Sequence, residues 1–520
     1  MKRVVSGLVL LGALAATGPL LAADPPPTDT ATPVVQPVPR DPLPVRPAPA
    51  PALDPILAPL TDDRLFQDAQ VALQVVSLRT GEEVFGYQAD QGMVPASTMK
   101  VITAAGALKT LGPSYRFTTR VLTDGELRPD GVLDGNLYVQ GGGDPTLVLE
   151  KLWKLVYDLH LNGLARIEGD VIFDDTFFDR SWPTAGWDKP RDVARGPSYF
   201  AHVGALALNF DTVAVVVRPG AKAGDPAAVA LETEAPGVVQ IENRVKTTTS
   251  GRRHVKLERV VTGRSMSLVL TGTVPLSANA VRYYRTVPDP SAYFTAAFAA
   301  QLRAQGVSVA GAYVDGEVPE AADEILSLKS PPLASILMDM NKYSSNFIAE
   351  QVLKTLGAEV SGAQGTTAAG LEVLGDYLVS LGIPREEFKL VNGSGLTRSA
   401  RLRPTHLTAV LADMAGDPRV GHEFMASLAI GGRDGTLWAR FAEDDQVDRV
   451  RGKTGTLDGV HCLAGTVEAA DGELYAFAYL VNELPGSIAR ARQVADRFCG
   501  ALCELDGAVT SLEPATAGTP

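Results

Sequence analysis

Three short polar sets stand in order along the chain: Ser97-Thr98-Met99-Lys100, Ser344-Ser345-Asn346 and Lys453-Thr454-Gly455-Thr456. A serine hydroxyl is a weak nucleophile near neutral pH and needs a partner to take its proton. Residues three apart on a helix share a face, so Lys100 can reach Ser97. Lysine accepts a proton only when neutral, and a pocket that desolvates it beside a second cation, Lys453, favours that form. The expected division of labour makes Lys100 the base toward Ser97. Lys453 is expected to stay charged and hold a substrate carboxylate, on a strand whose Thr454, Gly455 and Thr456 complete the binding edge. Ser344 would relay a proton to a leaving amine, and Asn346 would hold a substrate amide. The backbone N–H groups of Ser97 and Thr456 are candidate oxyanion donors. Together these residues describe acyl transfer through an acyl-serine, with no cofactor required.

The elements that must position these residues can be read from the pattern. Pro95 precedes a run at 97–111 in which Val101, Ile102, Ala105 and Leu108 recur at helical spacing, so Ser97 is expected to open a helix. Residues 71–78 and 83–87 flank Thr80-Gly81 as a short hairpin. From about 112 to 317 the chain reads as short β-rich runs (117–122, 136–140, 171–174, 213–218 and 267–270) separated by Asp-Gly, Asn and Pro turns. Helical patterns return from 334 onward, at 346–356, 369–381 and 404–414. Strand-like 460–467 and 474–481 join around Asp471-Gly472, and 487–505 carries one apolar helical face. The expected fold class is α+β: an antiparallel sheet flanked by helices and interrupted by a large β-rich insertion.

Bulk properties narrow the function classes. The chain has 520 residues, 45% hydrophobic and 21% charged, enough for two or three domains. A formal charge of −13 excludes the clustered basic surface a nucleic-acid binder needs. Lys2 and Arg3, an apolar run over 4–14 and Ala22-Ala23 form a secretory signal with cleavage expected near Ala23. Residues 24–60 are dense in Pro, a solvated tether. Three cysteines, Cys462, Cys499 and Cys503, allow at most one internal disulfide, with buried free thiols equally compatible. No metal-ligand spacing involves the six histidines.

Competing motifs fail on spacing. Gly452-Lys453-Thr454 resembles the end of a phosphate-binding loop, but Val447 occupies the required upstream glycine position. Gly141-Gly142-Gly143 does not match a dinucleotide fingerprint and is expected to form a tight turn. Asn392-Gly393-Ser394-Gly395 lacks nucleophile-elbow spacing.

The ordered motifs, together with Gly142-Gly143-Asp144-Pro145-Thr146-Leu147, Asn392-Gly393-Ser394-Gly395-Leu396-Thr397-Arg398 and Asp434-Gly435-Thr436-Leu437, resemble the class C low-molecular-mass penicillin-binding proteins. These are D-alanyl-D-alanine carboxypeptidases/endopeptidases of the penicillin-binding protein 4 type. About 245 residues separate Ser97 from Ser344, a gap that class A β-lactamases lack. The resemblance implies a transpeptidase/β-lactamase-like catalytic domain (61–115 and 318–508) split by an inserted domain (116–317), with a smaller unit nested at about 213–276 and a tail at 509–520. It implies peptidoglycan stem peptides and cross-links as substrates, β-lactam antibiotics as covalent inhibitors and a periplasmic location. It also implies that Asp174, Arg398 and Asp458 touch the side chain of the stem's diamino acid. The middle motif departs from the family's common Ser-Asp-Asn in having Ser345 at its centre. The chain ends in Ala, Thr, Gly and Pro, so no amphipathic membrane anchor is expected there. A serine β-lactamase and a non-catalytic wall-binding protein on the same fold remain alternatives at this point.

Overall fold

The computed structural model describes residues 57, 61–181, 184, 186–187, 195–443 and 446–505. The expected signal segment, nearly all of the Pro-rich tether and the tail at 509–520 lie outside the described residues.

A six-stranded antiparallel sheet organises the site, in the order Ala429–Ile430, Val450–Leu457, Val460–Glu468, Leu474–Asn482, Gln70–Ser77, Glu83–Tyr87. Its central strands are nearly continuous apolar runs because both faces are covered. Alternation along Leu474–Asn482 divides the two cores. Ala476, Ala478 and Leu480 face a helical layer, while Tyr475, Phe477, Tyr479 and Val481 face the C-terminal helix Ala489–Cys503. The small residues let helix Pro404–Ala415 settle closely on the sheet, and the bulky ones fill the space toward Phe498. Strand Gln70–Ser77 pairs with Leu474–Asn482 from Gln70↔Asn482 to Ser77↔Tyr475, so the segments on either side of the long insertion are stitched into one sheet.

Helix Met99–Leu111 is buried along Met99 to Leu108, where Ala, Val, Ile, Leu and Gly dominate and Lys100 and Thr103 are the polar exceptions. Around it pack helices Leu333–Lys342, Asn346–Ser361, Thr367–Ser380 and Pro404–Ala415. Ser97 sits in a single 3-10 turn, Ala96–Thr98, that leads into this helix, one turn before the α-helix proper begins.

The insertion has its own core, running from Val121 to Val307. Its five-stranded sheet is ordered Tyr313–Asp315, Val171–Asp174, Leu137–Gln140, Thr118–Thr123, Asp323–Lys329. The last strand, which its place in the chain assigns to the second catalytic segment, pairs with Thr118–Thr123 instead. Two helices, Leu149–Leu161 and Pro290–Ala304, depart from the all-strand expectation for this region. Both carry ordinary helix signals: Leu152, Leu155, Val156 and Leu159 form one buried stripe, and Asp289 caps a helix with Pro at its first turn.

All three cysteines are buried, and none is joined in a disulfide. Strand geometry explains this, since Cys462 faces the helical layer while Cys499 and Cys503 lie in the core on the opposite face of the sheet.

An Ala478→Leu substitution forces extra methylenes between the sheet and helix Pro404–Ala415. It is expected to lower unfolding free energy by about 1–3 kcal/mol in urea titrations.

Candidate active site

The Nζ of Lys100 makes three contacts: 3.0 Å to Ser97 Oγ, 2.8 Å to Asn346 Oδ1 and 2.8 Å to the Ser394 carbonyl oxygen. Lys100 has no solvent exposure, and burial pulls its pKa down to about 7, with the negative charge of Glu350 opposing the shift. A neutral amine has two N–H donors and one lone pair. The Asn346 and Ser394 oxygens are permanent acceptors and occupy both donors, so the lone pair is left for the Ser97 hydroxyl proton. In the neutral form, which burial favours, the cradle thus aims the lone pair at Ser97.

The second lysine is built differently. Lys453 Nζ donates to Ser344 Oγ at 2.9 Å and to the Thr454 carbonyl at 2.8 Å. It too is fully buried, and burial followed by the neighbouring Lys100 holds its pKa well below that of an ordinary lysine. Both causes oppose the charge expected on Lys453, and a bound carboxylate would favour it.

Local sequence explains how each side chain is held. Ser344 occupies the turn between helices Leu333–Lys342 and Asn346–Ser361 with φ +57°, a left-handed conformation that non-glycine residues adopt at a cost of about 1–3 kcal/mol. Ser345 caps the following helix, its hydroxyl accepting from the Ile348 N–H at 3.3 Å. This accounts for the tolerated departure at the motif's centre: Asp and Ser are equivalent N-caps, and the position's side chain serves the helix. Asn346 then begins the helix, and its Nδ2 donates to the Tyr199 carbonyl at 3.1 Å. Strand Val450–Leu457 presses on the turn that carries Ser97 at Gly455, where a Cβ would lie 2.8 Å from the Pro95 carbonyl oxygen and 3.1 Å from the Ser97 nitrogen. Thr454 is braced by the Thr436 hydroxyl at 2.9 Å, and Asp434 of the same segment pairs with Lys342.

In front of these groups opens a cavity of about 630 Å³ whose lining includes Ser97, Ser344, Asn346, Tyr199, Thr456, Arg398 and Asp458. Arg398 Nη2 donates to the Asp458 carbonyl across the mouth. Asp174 is not part of the lining. Its buried carboxylate accepts from Gln140 Nε2 and the Thr176 N–H and hydroxyl within the insertion, and from the Val318 N–H just beyond it. The sequence reading missed the Ser394 carbonyl, a backbone group with no side-chain signature, and the Tyr199 wall. Among the described residues, no group of His, Cys, Asp and Glu is gathered to hold a metal ion, and no helix is long and apolar enough to cross a membrane.

Residues 53–499 match the model of the D-Ala-D-Ala carboxypeptidase 3 (S13) family. The chain belongs to that family. It is a serine-type D-Ala-D-Ala carboxypeptidase/endopeptidase acting on peptidoglycan, on the α+β fold of the penicillin-binding protein 4 type. A D-alanyl-D-alanine carboxypeptidase from an Actinomadura species is 33% identical over 437 residues, 81% of this chain and 79% of that protein. The crystal structure of penicillin binding protein 4 from Haemophilus influenzae superposes with a TM-score of 0.72 at 25% identity, covering 85% of this chain and 97% of that one. The same Haemophilus protein complexed with a β-lactam gives a TM-score of 0.68.

Because Ser345 acts as a cap in this enzyme, Ser345→Asp is expected to leave its stability within about 0.5 kcal/mol of the parent, while Ser345→Ala costs about 1 kcal/mol. Thermal melts of the two variants read the difference.

Proposed function

We propose that Ser97 is the acyl-accepting nucleophile and Lys100 its general base. The observation that carries this reading is the three-oxygen cradle around Lys100. The Ser97 proton passes to Lys100 Nζ as Oγ attacks the carbonyl carbon of the penultimate D-Ala of a stem peptide. The negative oxygen that forms is held by the N–H groups of Ser97 and Thr456. Collapse breaks the C–N bond, and the proton that Lys100 took from Ser97 is relayed through Ser344 to the leaving amine, which leaves Lys100 neutral for the second half. Water then attacks the acyl-serine with Lys100 again accepting the proton. When the leaving amine belongs to the diamino acid of a neighbouring stem, the same steps open a cross-link. A β-lactam follows the first half of this path, its ring nitrogen remaining tethered to the acyl group.

Substrate placement follows from the strand. Beyond Gly452, the outer edge of Val450–Leu457 has no sheet neighbour among the described residues, so an extended peptide docks as an added strand along Thr454, Gly455 and Thr456. Lys453 meets the terminal carboxylate through the Thr454 and Thr456 hydroxyls. Arg398 and Asp458, at the cavity mouth, take the diamino acid's polar end; Asp174, which lies outside the cavity lining, is left out of this reading. The reading includes export to the periplasm, cleavage near Ala23, and a catalytic unit of 61–115 with 318–508 split by the insertion.

Ser97→Ala is expected to abolish covalent labelling by a fluorescent penicillin together with D-Ala release from a stem peptide. Labelling that persists on Ser97→Ala would remove Ser97 from the role, and rapid release of hydrolysed antibiotic by the parent would favour a β-lactamase.

Only neutral Lys100 accepts the proton, so acylation should fall as pH drops below about 7 and level off above it. Stopped-flow labelling across pH 5–9 reads that limb.

A further inference from the structure

Ser394, whose carbonyl completes the Lys100 cradle, lies in the loop Asn392-Gly393-Ser394-Gly395, and this loop has no strand or helix hydrogen bonding to hold it in place. It is held instead by side chains from two helices. Thr103, one turn beyond Lys100, donates to the Gly393 carbonyl at 2.7 Å. Glu350, one turn beyond Asn346 on the same helix face, accepts the Gly393 N–H on Oε2 at 3.0 Å and the Ser394 N–H on Oε1 at 2.9 Å. Within the loop, the Gly395 N–H donates to Asn392 Oδ1 at 2.8 Å. Gly395 itself has φ +75° and lies so close to the nucleophile turn that a Cβ would come 1.9 Å from the Ala96 carbonyl oxygen. The loop is thus clamped between the helix carrying Lys100 and the helix carrying Asn346.

Glu350 is 1% exposed. A carboxyl placed there without purpose is costly, and an acid in an otherwise apolar interior is retained only where its charge and acceptors are used. Both oxygens accept N–H groups, the pattern of a carboxylate, since a protonated acid would turn an O–H toward one of those donors. The charged groups that reach Lys100 among the described residues are Glu350 from its helix and Lys453 from the strand; the other partners are neutral.

We propose that Glu350 is the positioning residue of the general base: its carboxylate clamps Gly393 and Ser394 so that the Ser394 carbonyl meets Lys100, and its charge offsets that of Lys100 when protonated. This rests on the reading of Lys100 as base and extends it to a residue that touches no substrate. Burial alone raises the Glu350 pKa, while the loop N–H groups and Lys100 oppose that rise. The coupling is mutual, since the same negative charge holds the Lys100 pKa higher than burial alone would leave it.

The test is the pH profile of acylation by fluorescent penicillin in Glu350→Gln, Glu350→Asp and Thr103→Val, beside the parent. Glu350→Gln removes the charge and sets an amide N–H₂ against a backbone N–H. Its plateau rate at high pH should fall about tenfold or more from misplacement of the cradle, and its acid limb should move to lower pH by about one unit, because Lys100 loses its favourable neighbour. Thr103→Val loosens the same loop without changing charge, so its plateau should fall with the limb unmoved. An acid limb unmoved in Glu350→Gln, with its melting temperature within a few degrees of the parent, would overturn the proposal. Should Glu350→Gln not fold, Glu350→Asp decides: charge kept but reach lost predicts a lowered plateau at the parental midpoint, and a parental plateau would overturn it. Failure of the parent itself to acylate would instead sink the reading of Ser97 and Lys100, so the two failures are distinguishable.

Discussion

Everything at this site depends on keeping an amine out of water. Lys100 sits with no exposed surface and three oxygens within 3.0 Å, and its burial is what brings its proton affinity near neutrality. A solvated lysine at the same distance from Ser97 would hold its proton and do nothing. The rest of the fold can be understood as the means of sustaining that burial without leaving an uncompensated charge. Helix Met99–Leu111 is buried along most of its length in the helical layer, the loop at 392–395 supplies a carbonyl acceptor, and Glu350 supplies a negative charge.

The architecture also explains why the motifs are so far apart in the chain. Ser97 lies before the insertion, Ser344 and Asn346 after it, and Lys453 on a strand whose sheet includes the N-terminal hairpin. The insertion separates Ser97 from Ser344 in sequence but not in space, because strand Gln70–Ser77 is zipped onto Leu474–Asn482 over eight residue pairs. The left-handed Ser344 and the tight approach of Gly455 to the Ser97 nitrogen are strained or crowded features that this framework holds in place.

What was legible in the sequence follows chemistry that admits few substitutes. Ser97, Lys100, Ser344, Asn346 and Lys453 were readable because proton transfer and charge binding call for such groups; Lys100 bonds Ser97 and Asn346, and Lys453 bonds Ser344. The central sheet was readable because strands buried on both faces must be apolar runs. The Ser394 carbonyl was not, since any residue has one. Glu350 was not, because an acid within a helix ordinarily marks the solvent face, and here the same spacing points it at a loop 43 residues downstream. The insertion's two helices carried clear signals that the surrounding turns and strands masked. Asp174 came from resemblance alone; its carboxylate accepts from Thr176 and Val318 and lies outside the cavity lining.

The most direct test of the central claim is the ionisation of Lys100 itself, followed in the substrate-free enzyme by NMR of ¹³Cε-labelled lysine, with the signal assigned by its absence in Lys100→Arg. The account predicts a midpoint near 7. A Lys100 resonance that stays fully protonated beyond pH about 10, as in an ordinary solvated lysine, would contradict it.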